Sequence, residues 1–326
     1  MLRFLIRRSL GAVVTLVIVA AVTFFLFFAI PADPARLACG KVCPPDTLAL
    51  ARHNLGIDQP LMTQFVQWLW GIVAGRDFPG LGHCPAPCLG YSFVNKAPVW
   101  DTLLDRMPAT ISLTIGSSIV FLIFGIGTGI IAALRQGKPL DKIASMASLV
   151  GASVQIFFVG TLAMYFFVYQ MHIFSQPKYI PLTEDPVGWF NGLLLPWIVL
   201  AIIFTANYTR MTRSTMVEQL SEDYIRTARA KGMSSTSVIM RFAMRGTLTP
   251  LVTIYGVDLG TLIGGAIITE TTFGIQGIGR LSIRAVTYSD LPLLMATVVL
   301  AAAAIVVMNV VVDALYAVID PRVRLS

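Results

Sequence analysis

Long stretches of apolar residues, separated by short polar segments, dominate the pattern along this chain. A helix needs about 20 apolar residues to cross the ~30 Å hydrocarbon layer of a membrane, and six stretches are long enough. The pattern therefore predicts an all-α polytopic membrane protein with six transmembrane helices. The predicted spans are residues 9–30, 109–134, 143–171, 192–209, 249–272 and 292–317.

Composition agrees with this pattern, since 56% of the 326 residues are hydrophobic and only 13% are charged. The lysines and arginines that flank the predicted spans are unevenly divided. Fifteen fall on the side that carries both termini, whereas the two short loops on the other side hold only Lys178, Arg280 and Arg284. Cations near the span ends are retained in the cytoplasm, so we predict that both termini are cytoplasmic. The net charge of +7 then requires no nucleic-acid partner.

The spans divide the chain into three parts. Residues 1–30 form an N-terminal anchor helix, because the apolar run of 22 residues exceeds the ~7–15 residues of a cleaved signal core. Residues 31–108 form an extracytoplasmic segment with amphipathic helices. Residues 109–326 form a core with five spans and a cytoplasmic loop at 210–248.

One helix of the outer segment has an apolar stripe, because Phe65, Trp68, Leu69 and Ile72 recur at helical spacing. Indole groups are common at the membrane interface, so this helix is suited to a shelf or lid over the outer mouth. Packing of the same stripe on the ends of the spans, without any ligand role, fits the spacing equally well.

The outer segment also holds all four cysteines: Cys39, Cys43, Cys84 and Cys88. In an oxidising compartment disulfides are the default, and the three-residue spacers are less typical of zinc sites than two-residue spacers. Pro85 and Pro87 favour an extended backbone that would separate the Cα atoms of the second pair by about 12 Å, beyond the ~7 Å that a disulfide allows. We therefore predict bridges from Cys39 and Cys43 to Cys84 and Cys88, and no metal.

Motifs of catalysis and nucleotide binding are absent from the sequence. His53, His83 and His172 lie outside the predicted spans, and neither HExxH nor GxSxG occurs. No GxxxxGK[ST] loop is present either. The chain is therefore predicted not to be an enzyme, and nucleotide energy would have to come from another chain.

The fifth predicted span combines a face of small residues with a carboxylate. Gly256, Gly260 and Gly264 repeat every four residues, which allows another helix to approach closely. Asp258 points away from that face at a depth of about 13 Å. Such a carboxylate faces either a wet translocation pathway or a polar partner within the bundle, and the sequence leaves both open.

The loop at 210–248 contains two short basic helices. Ser221 can cap the first, which carries acids in its first turn and cations in its last, and Gly232 ends it. Ser234 or Ser235 then begins the second. The corner between them is small and rimmed by cations, and it is suited to a groove on another protein.

The same corner carries a resemblance to a known family. The segment DYIRTARAKG at 223–232 resembles the coupling loop of the oligopeptide/dipeptide/nickel branch of ABC-importer permeases. The resemblance extends over nearly the whole chain. It includes NLGIDQPL at 54–61, RMPATISL at 106–113, ETTFGIQGIGRL at 270–281 and VVDALYAVIDPRVR at 311–324.

The resemblance implies the ABC importer permease fold, a bacterial inner-membrane location and transport of a peptide-like solute. Implied partners are a second homologous permease subunit, two ATPase subunits that bind ATP and Mg²⁺, and an extracytoplasmic solute-binding protein; the chain itself binds no cofactor. The residues implied to contact an ATPase subunit are Tyr224, Arg226, Thr227, Ala228, Arg229, Ala230, Lys231 and Gly232.

Three features depart from the general family pattern. Arg226-Thr227-Ala228 stands where many permeases have Glu-Ala-Ala, although the peptide branch is similar to this chain in that respect. The cysteine-containing insertions and Asp258 have no counterpart in the pattern, which leaves the substrate open between a peptide, a metal chelate, a haem and a sugar-like compound. The alternative function is an ion-coupled secondary carrier that uses Asp258 as its proton site.

Overall fold

The computed structural model confirms an α-helical membrane architecture. Five described helices are long and apolar enough to cross a membrane, and a bent pair of helices brings the number to six. The structure describes residues 2–29, 44–45, 48, 52, 58–78, 82–92 and 94–319.

The helices extend well beyond the apolar stretches that predict them, because polar turns at their ends continue the helical hydrogen bonding. The helices before the central loop are α1 (Leu2–Ala29), α2 (Leu61–Ala74), α3 (Val99–Leu134), α4 (Pro139–Ser153), α5 (Ile156–Ala163) and α6 (Pro186–Ser221). Those that follow are α7 (Asp223–Ala230), α8 (Ser235–Val238), α9 (Met244–Ile263), α10 (Ile267–Phe273), α11 (Ile278–Thr287) and α12 (Leu291–Ile319).

The third predicted span is not one straight helix, which corrects the sequence prediction. The segments Pro139–Ser153 and Ile156–Gln170 meet at an angle of 96°. Val154 and Gln155 between them adopt extended backbone angles, so the helical hydrogen-bond ladder stops there. The second segment continues as a π-helix over Met164–Gln170.

The fifth predicted span also ends earlier than expected, at Ile263 rather than residue 272. Gly265 has a φ of +130°, a backbone conformation that side-chain-bearing residues rarely adopt. A Cβ at Gly265 would lie 2.8 Å from the Cα of Gly279, so the two backbones are in close contact. The short helix α10 starts only after this break.

The outer segment contains a little β-structure besides its helix. Two small antiparallel hairpins follow α2. The strands are β1 (Arg76–Phe78) paired with β2 (Gly82–Cys84), and β3 (Tyr91–Ser92) paired with β4 (Ala97–Pro98).

By internal contacts the chain divides into two compact units, each assembled from separate stretches. The first contains Met1–Thr110, Gly260–Ile267 and Gln276–Val310. The second contains Ile111–Leu259, Ile268–Ile275 and Val311–Ser326.

The core of the first unit includes the predicted stripe of α2. Trp68 is buried beside Phe24 of α1, with ring centroids 6.1 Å apart, and its indole N–H donates to the carbonyl of Leu89 at 3.1 Å. Phe65, Leu69 and Ile72 pack against the same cluster. The stripe therefore packs on a span and on the segment between the two outer hairpins, which agrees with the second of the two interpretations that its spacing allowed.

Close helix contacts in both units occur at glycines. In the first unit a Cβ at Gly260 would lie 2.7 Å from the Cα of Ile305 in α12. In the second unit a Cβ at Gly125 would lie 2.7 Å from the Cβ of Tyr208, and Phe121 stacks on Phe204 at 5.0 Å. The predicted close approach at the glycine face of the fifth span is thus confirmed at Gly260.

Candidate functional site

The candidate site is the pair of short helices α7 and α8, which belong to the second unit. In α7, Ile225 and Ala228 lie three residues apart on one face, and both are buried. They pack with Met216 of α6, Val238 of α8 and Ala133 of α3 in one apolar cluster. This cluster holds α7 against the spans, so the opposite face of α7 remains exposed.

Helix α7 begins differently from the prediction. Ser221 does not cap it: this residue ends α6, and its hydroxyl donates to the carbonyl of Glu218 at 2.7 Å. Glu222 occupies the cap position and makes no side-chain cap hydrogen bond. The hydroxyl of Ser221 prefers the carbonyl three residues earlier, because the preceding helix has already placed that acceptor within reach.

Tyr224 fixes the angle between α6 and α7. Its hydroxyl donates to the side-chain oxygen of Gln219 at 2.5 Å. Burial, and then the nearby carboxylate of Glu222, raise the pKa of Tyr224 above its usual value. A tyrosine phenol is protonated at neutral pH even at its usual pKa, so this hydrogen bond persists there without any help from the shift.

The turn after α7 confirms the predicted stop at Gly232. This residue has a φ of +77°, and its N–H donates to the carbonyl of Arg229 at 2.9 Å. The N–H of Met233 donates to the carbonyl of Ala228 at 3.3 Å. These two bonds form a Schellman motif, and Met233 packs on the apolar cluster as that motif requires.

Helix α8 starts where predicted, with Ser234 as its cap. The Ser234 hydroxyl accepts a hydrogen bond from the backbone N–H of Ser237 at 3.4 Å. Four helical residues and the π-helix Ile239–Ala243 then lead into α9. The two short helices thus form a compact corner with a defined turn.

The exposed surface of the corner is basic. The exposed residues from the predicted contact set are Tyr224, Arg226, Thr227, Arg229, Ala230, Lys231 and Gly232. Arg226 pairs with Asp223 at 3.4 Å, where both groups are largely in solvent. Ala228 differs from the others, because it is only 5% exposed. Its side chain belongs to the internal packing of the corner, and its contact with a partner stays a prediction.

Asp258 lies in α9 and has a partner in the bundle. The hydroxyl of Tyr208 in α6 donates to its carboxylate at 2.9 Å. Tyr208 is buried, whereas Asp258 is partly exposed. The structure thus supplies the polar partner that one of the two sequence interpretations required.

The disulfide prediction is wrong for the second cysteine pair. Cys84 and Cys88 bond to each other, with their Cα atoms 5.6 Å apart, so neither is available to Cys39 or Cys43. The backbone bends at Ala86 and Pro87 instead of remaining extended, because the β1–β2 pairing holds Cys84 and the N–H of Cys88 donates to the Gly71 carbonyl. Cys39 and Cys43 lie outside the described residues.

An ion pair that the sequence analysis missed ties α4 to α6. Arg213 donates through Nε and Nη2 to the two carboxylate oxygens of Asp141, and the second of these bonds measures 2.8 Å. The only sequence signal was a single acid among the cations Arg135, Lys138 and Lys142.

In the described part of the chain, no three His, Cys, Asp or Glu side chains are grouped as a metal site.

Comparison with known proteins gives consistent matches over the chain. Residues 125–325 match the family described as the binding-protein-dependent transport system inner membrane component, and residues 1–114 match the N-terminal region of such membrane components. A peptide transport system permease protein of Brucella abortus (strain 2308) is 36% identical over 324 residues, which covers 99% of both chains.

Two further comparisons agree. The glutathione transport system permease protein GsiC of Salmonella choleraesuis (strain SC-B67) is 36% identical over 324 residues, again with 99% of each chain covered. Among solved structures, inward-facing conformations of the MetNI methionine ABC transporter match with a TM-score of 0.54 and 15% identity. That match covers 68% of this chain and 97% of the solved chain, and it concerns the fold alone.

Proposed function

Because this chain belongs to the family of binding-protein-dependent transport system inner membrane components, we propose that it forms half of a translocation pathway for a peptide-like solute. It is a multi-pass permease subunit of an ABC importer in the inner membrane, and not an enzyme.

The α7–α8 corner couples the pathway to an ATPase subunit. This assignment rests on one observation: the inner side of the corner is packed into the apolar cluster, and its outer side is basic. Ile225 and Ala228 anchor it in the core, and the Schellman turn fixes Gly232. The exposed side presents Arg226, Arg229 and Lys231, and no element in the described part of the chain covers them. A fixed, small projection of this kind transmits movement, whereas a mobile loop would absorb it.

In the full assembly, ATP hydrolysis and transport are carried out by different subunits. Two ATPase subunits bind ATP and Mg²⁺, a second homologous permease completes the pathway, and an extracytoplasmic binding protein delivers the solute. Both termini of this chain and its α7–α8 corner lie on the cytoplasmic side, in line with the distribution of cations. ATP-driven movement of the ATPase subunits would then change which side of the membrane the pathway faces.

The cargo is a short peptide or a peptide-like compound. This assignment rests on the relatives named as peptide and glutathione permeases, each aligned over nearly the full length of the chain. An ion-coupled carrier that acts alone has less support, because the Asp258 carboxylate is engaged by Tyr208.

Reconstitution tests the proposal. The chain, co-expressed with its neighbouring permease and ATPase subunits, should purify as a complex. In proteoliposomes that complex should accumulate labelled dialanine or glutathione only when ATP and the binding protein are both supplied. Uptake by this chain alone, driven by a proton gradient without ATP, would establish the carrier instead.

A further inference from the structure

Helix α2 has a second apolar face, opposite the one that packs on α1. The side chains of this face recur at intervals of four, four and three residues, and at ~3.6 residues per turn they fall within an arc of about 80°. They are Met62, Val66, Trp70 and Val73, and they are between 57% and 75% exposed. These four residues form the outer face of α2, a large apolar surface that no described part of the chain covers.

The polar residues of α2 do not make its outer face hydrophilic. The 14 residues of the helix include no charged one, and Thr63 is its only exposed polar residue. Gln64 is buried, and its Nε2 donates to the carbonyl of Gln59 at 2.7 Å. The side-chain oxygen of Gln67 accepts from Nη2 of Arg76 at 3.1 Å. A surface helix in water normally turns polar and charged residues away from the core, so this face indicates surroundings other than water.

Helix α2 is too short to cross a membrane and cannot insert end-on. Its 14 residues measure about 21 Å at ~1.5 Å per residue, against the ~30 Å of the hydrocarbon layer. Charged residues flank both ends: Asp58 precedes the helix, and Arg76 and Asp77 follow it. Charged groups are costly in hydrocarbon, so both ends stay outside that layer. The helix therefore lies along the surface of the membrane.

Contacts with α1, which belongs to the same unit, place α2 at the edge of the hydrocarbon layer. The membrane-spanning part of α1 is Ile6–Phe28. Phe24 lies four residues before the end of this span, or about 6 Å inside it. The ring of Phe65 in α2 lies 5.4 Å from that of Phe24 and 5.6 Å from that of Phe25. A side chain of α2 thus packs on α1 below the end of the span, so α2 lies where hydrocarbon meets the headgroups.

We propose that α2 is an interfacial helix whose outer face inserts among the lipid acyl chains next to the headgroups. The leaflet is the one at the C-terminal end of α1, which the cation distribution predicts to be extracytoplasmic. Helices that lie in an interface bury an apolar face by ~5–10 Å, which agrees with the depth of the α1 contact. Val22 and Leu26 of α1 are exposed on either side of Phe24 along the span, so lipid surrounds this part of the unit at the same level.

An interfacial α2 also determines where the disulfide-containing region lies. The carbonyl of Gly71 accepts from the N–H of Cys88 at 3.1 Å, and the Trp68 indole donates to the carbonyl of Leu89. Cys88 is in turn bonded to Cys84. These bonds join α2 to the segment between the two hairpins. The lipid contact therefore holds that segment at a fixed height above the membrane.

Quenching of Trp70 fluorescence reports the surroundings of the outer face. The full-length chain is placed in phosphatidylcholine nanodiscs, with or without bromine on the acyl chains near the headgroup, and Trp70→Phe is measured in parallel. Because Trp70 is exposed, this conservative variant should fold normally, and the difference between the two proteins is the Trp70 emission. We expect brominated lipid to remove most of that emission and aqueous iodide to remove little. His83→Trp in the Trp70→Phe background adds an exposed indole to the β1–β2 hairpin and should show the reverse pattern.

Two results would overturn the proposal. Quenching of Trp70 by iodide but not by brominated lipid would place the outer face in water. Protection of Trp70 from both quenchers would show that protein covers the face. The same measurement on the complex that co-purifies with this chain completes the test, because protection that appears only in the complex would assign the face to a partner subunit instead of lipid.

Discussion

The Asp141 carboxylate and the Arg213 guanidinium form a two-point ion pair between α4 and α6, and the same carboxylate accepts the backbone N–H of Gly137 at 2.9 Å. Asp141 is only 4% exposed, so the guanidinium is its main charge partner. The pair fixes the start of α4 against the last third of α6.

Breaking this pair should destabilise the second unit. Arg213→Gln leaves a buried carboxylate without its counter-charge, and we expect a clear loss in unfolding temperature in detergent. Arg210→Gln is the control, because Arg210 is exposed and contacts only Asn207 among the hydrogen bonds described. Equal effects of the two substitutions would contradict a special role for the pair.

Substitutions at Gly232 can separate the effect of the positive φ from the effect of side-chain size. A Cβ there meets nothing within 4 Å, but the positive φ disfavours side chains, so Gly232→Val should cost about 1–2 kcal/mol of stability. Asn tolerates this backbone region, so Gly232→Asn should be nearly neutral for folding. If the corner seats in a partner groove, both variants should lower uptake relative to ATP hydrolysis. Normal coupling in both variants would remove Gly232 from the interface.

Ala228→Asp should impair the protein through its folding, and not through the backbone of the turn. It places a carboxylate in the apolar cluster of Ile225, Met216 and Val238, so the loss should be in folding before coupling. Thr227→Asp changes the charge of an exposed neighbour and is the matched comparison. We expect Ala228→Asp to purify poorly, and Thr227→Asp to purify normally with impaired coupling. Normal folding and stability of Ala228→Asp would contradict the buried placement of that residue.

Two glycine substitutions should have opposite signs. At Gly260 an added Cβ meets the backbone of Ile305, so Gly260→Ala should destabilise by about 1–3 kcal/mol. At Gly127 of α3 nothing lies within 4 Å, so Gly127→Ala should stabilise by up to about 1 kcal/mol through helix propensity. Denaturant titration in mixed micelles measures both. The same sign for both would refute the close contact at Gly260.

Substitution of Asp258 tests whether its carboxylate is structural or carries a proton. Asn at this position still accepts the Tyr208 hydroxyl but cannot carry a proton, so Asp258→Asn should retain ATP-driven uptake. Tyr208→Phe removes the donor and should reduce stability by about 1 kcal/mol. Complete loss of uptake in Asp258→Asn, with the protein still folded, would favour the proton-carrier role.

Peptide mapping without reduction checks the outer segment. We expect a fragment that contains Cys84 bonded to Cys88, as the structure has it. Closing so short a loop stabilises by about 2 kcal/mol on chain-entropy grounds. A fragment that links either residue to Cys39 or Cys43 would restore the crossed pairing.

The sequence predicted the elements that depend on local pattern. Apolar runs located the spans, Ser234 and Gly232 located the ends of the short helices, and the glycine spacing located a helix contact. Neither residue at the bend, Val154 or Gln155, is a Gly or Pro that would predict a helix end. The position of the bend therefore depends on tertiary packing. The break after Ile263 did have a signal in the adjacent Gly264 and Gly265, but only Gly264 entered the prediction, as part of a packing face.

Contacts between distant positions could not be predicted in the same way. Arg213 and Asp141 are 72 residues apart, and Arg106 and Gln276, whose side chains share a hydrogen bond, are 170 residues apart. Charge alone indicates on which side of a membrane such residues lie, but not which of them meet. The burial of Ala228 is similar, because its small size fits an internal contact as well as an external one.

Helix α6 has the length and the internal proline of a lever arm. It continues unbroken from Pro186 to Ser221 and contains Pro196, a residue that removes one backbone hydrogen bond and so favours bending at that point. The 25 residues from there to Ser221 measure about 37 Å at 1.5 Å per residue. A rotation of about 5° at Pro196 would carry the attached α7 through about 3 Å. A small rotation at Pro196 would therefore move the α7–α8 corner by several ångströms.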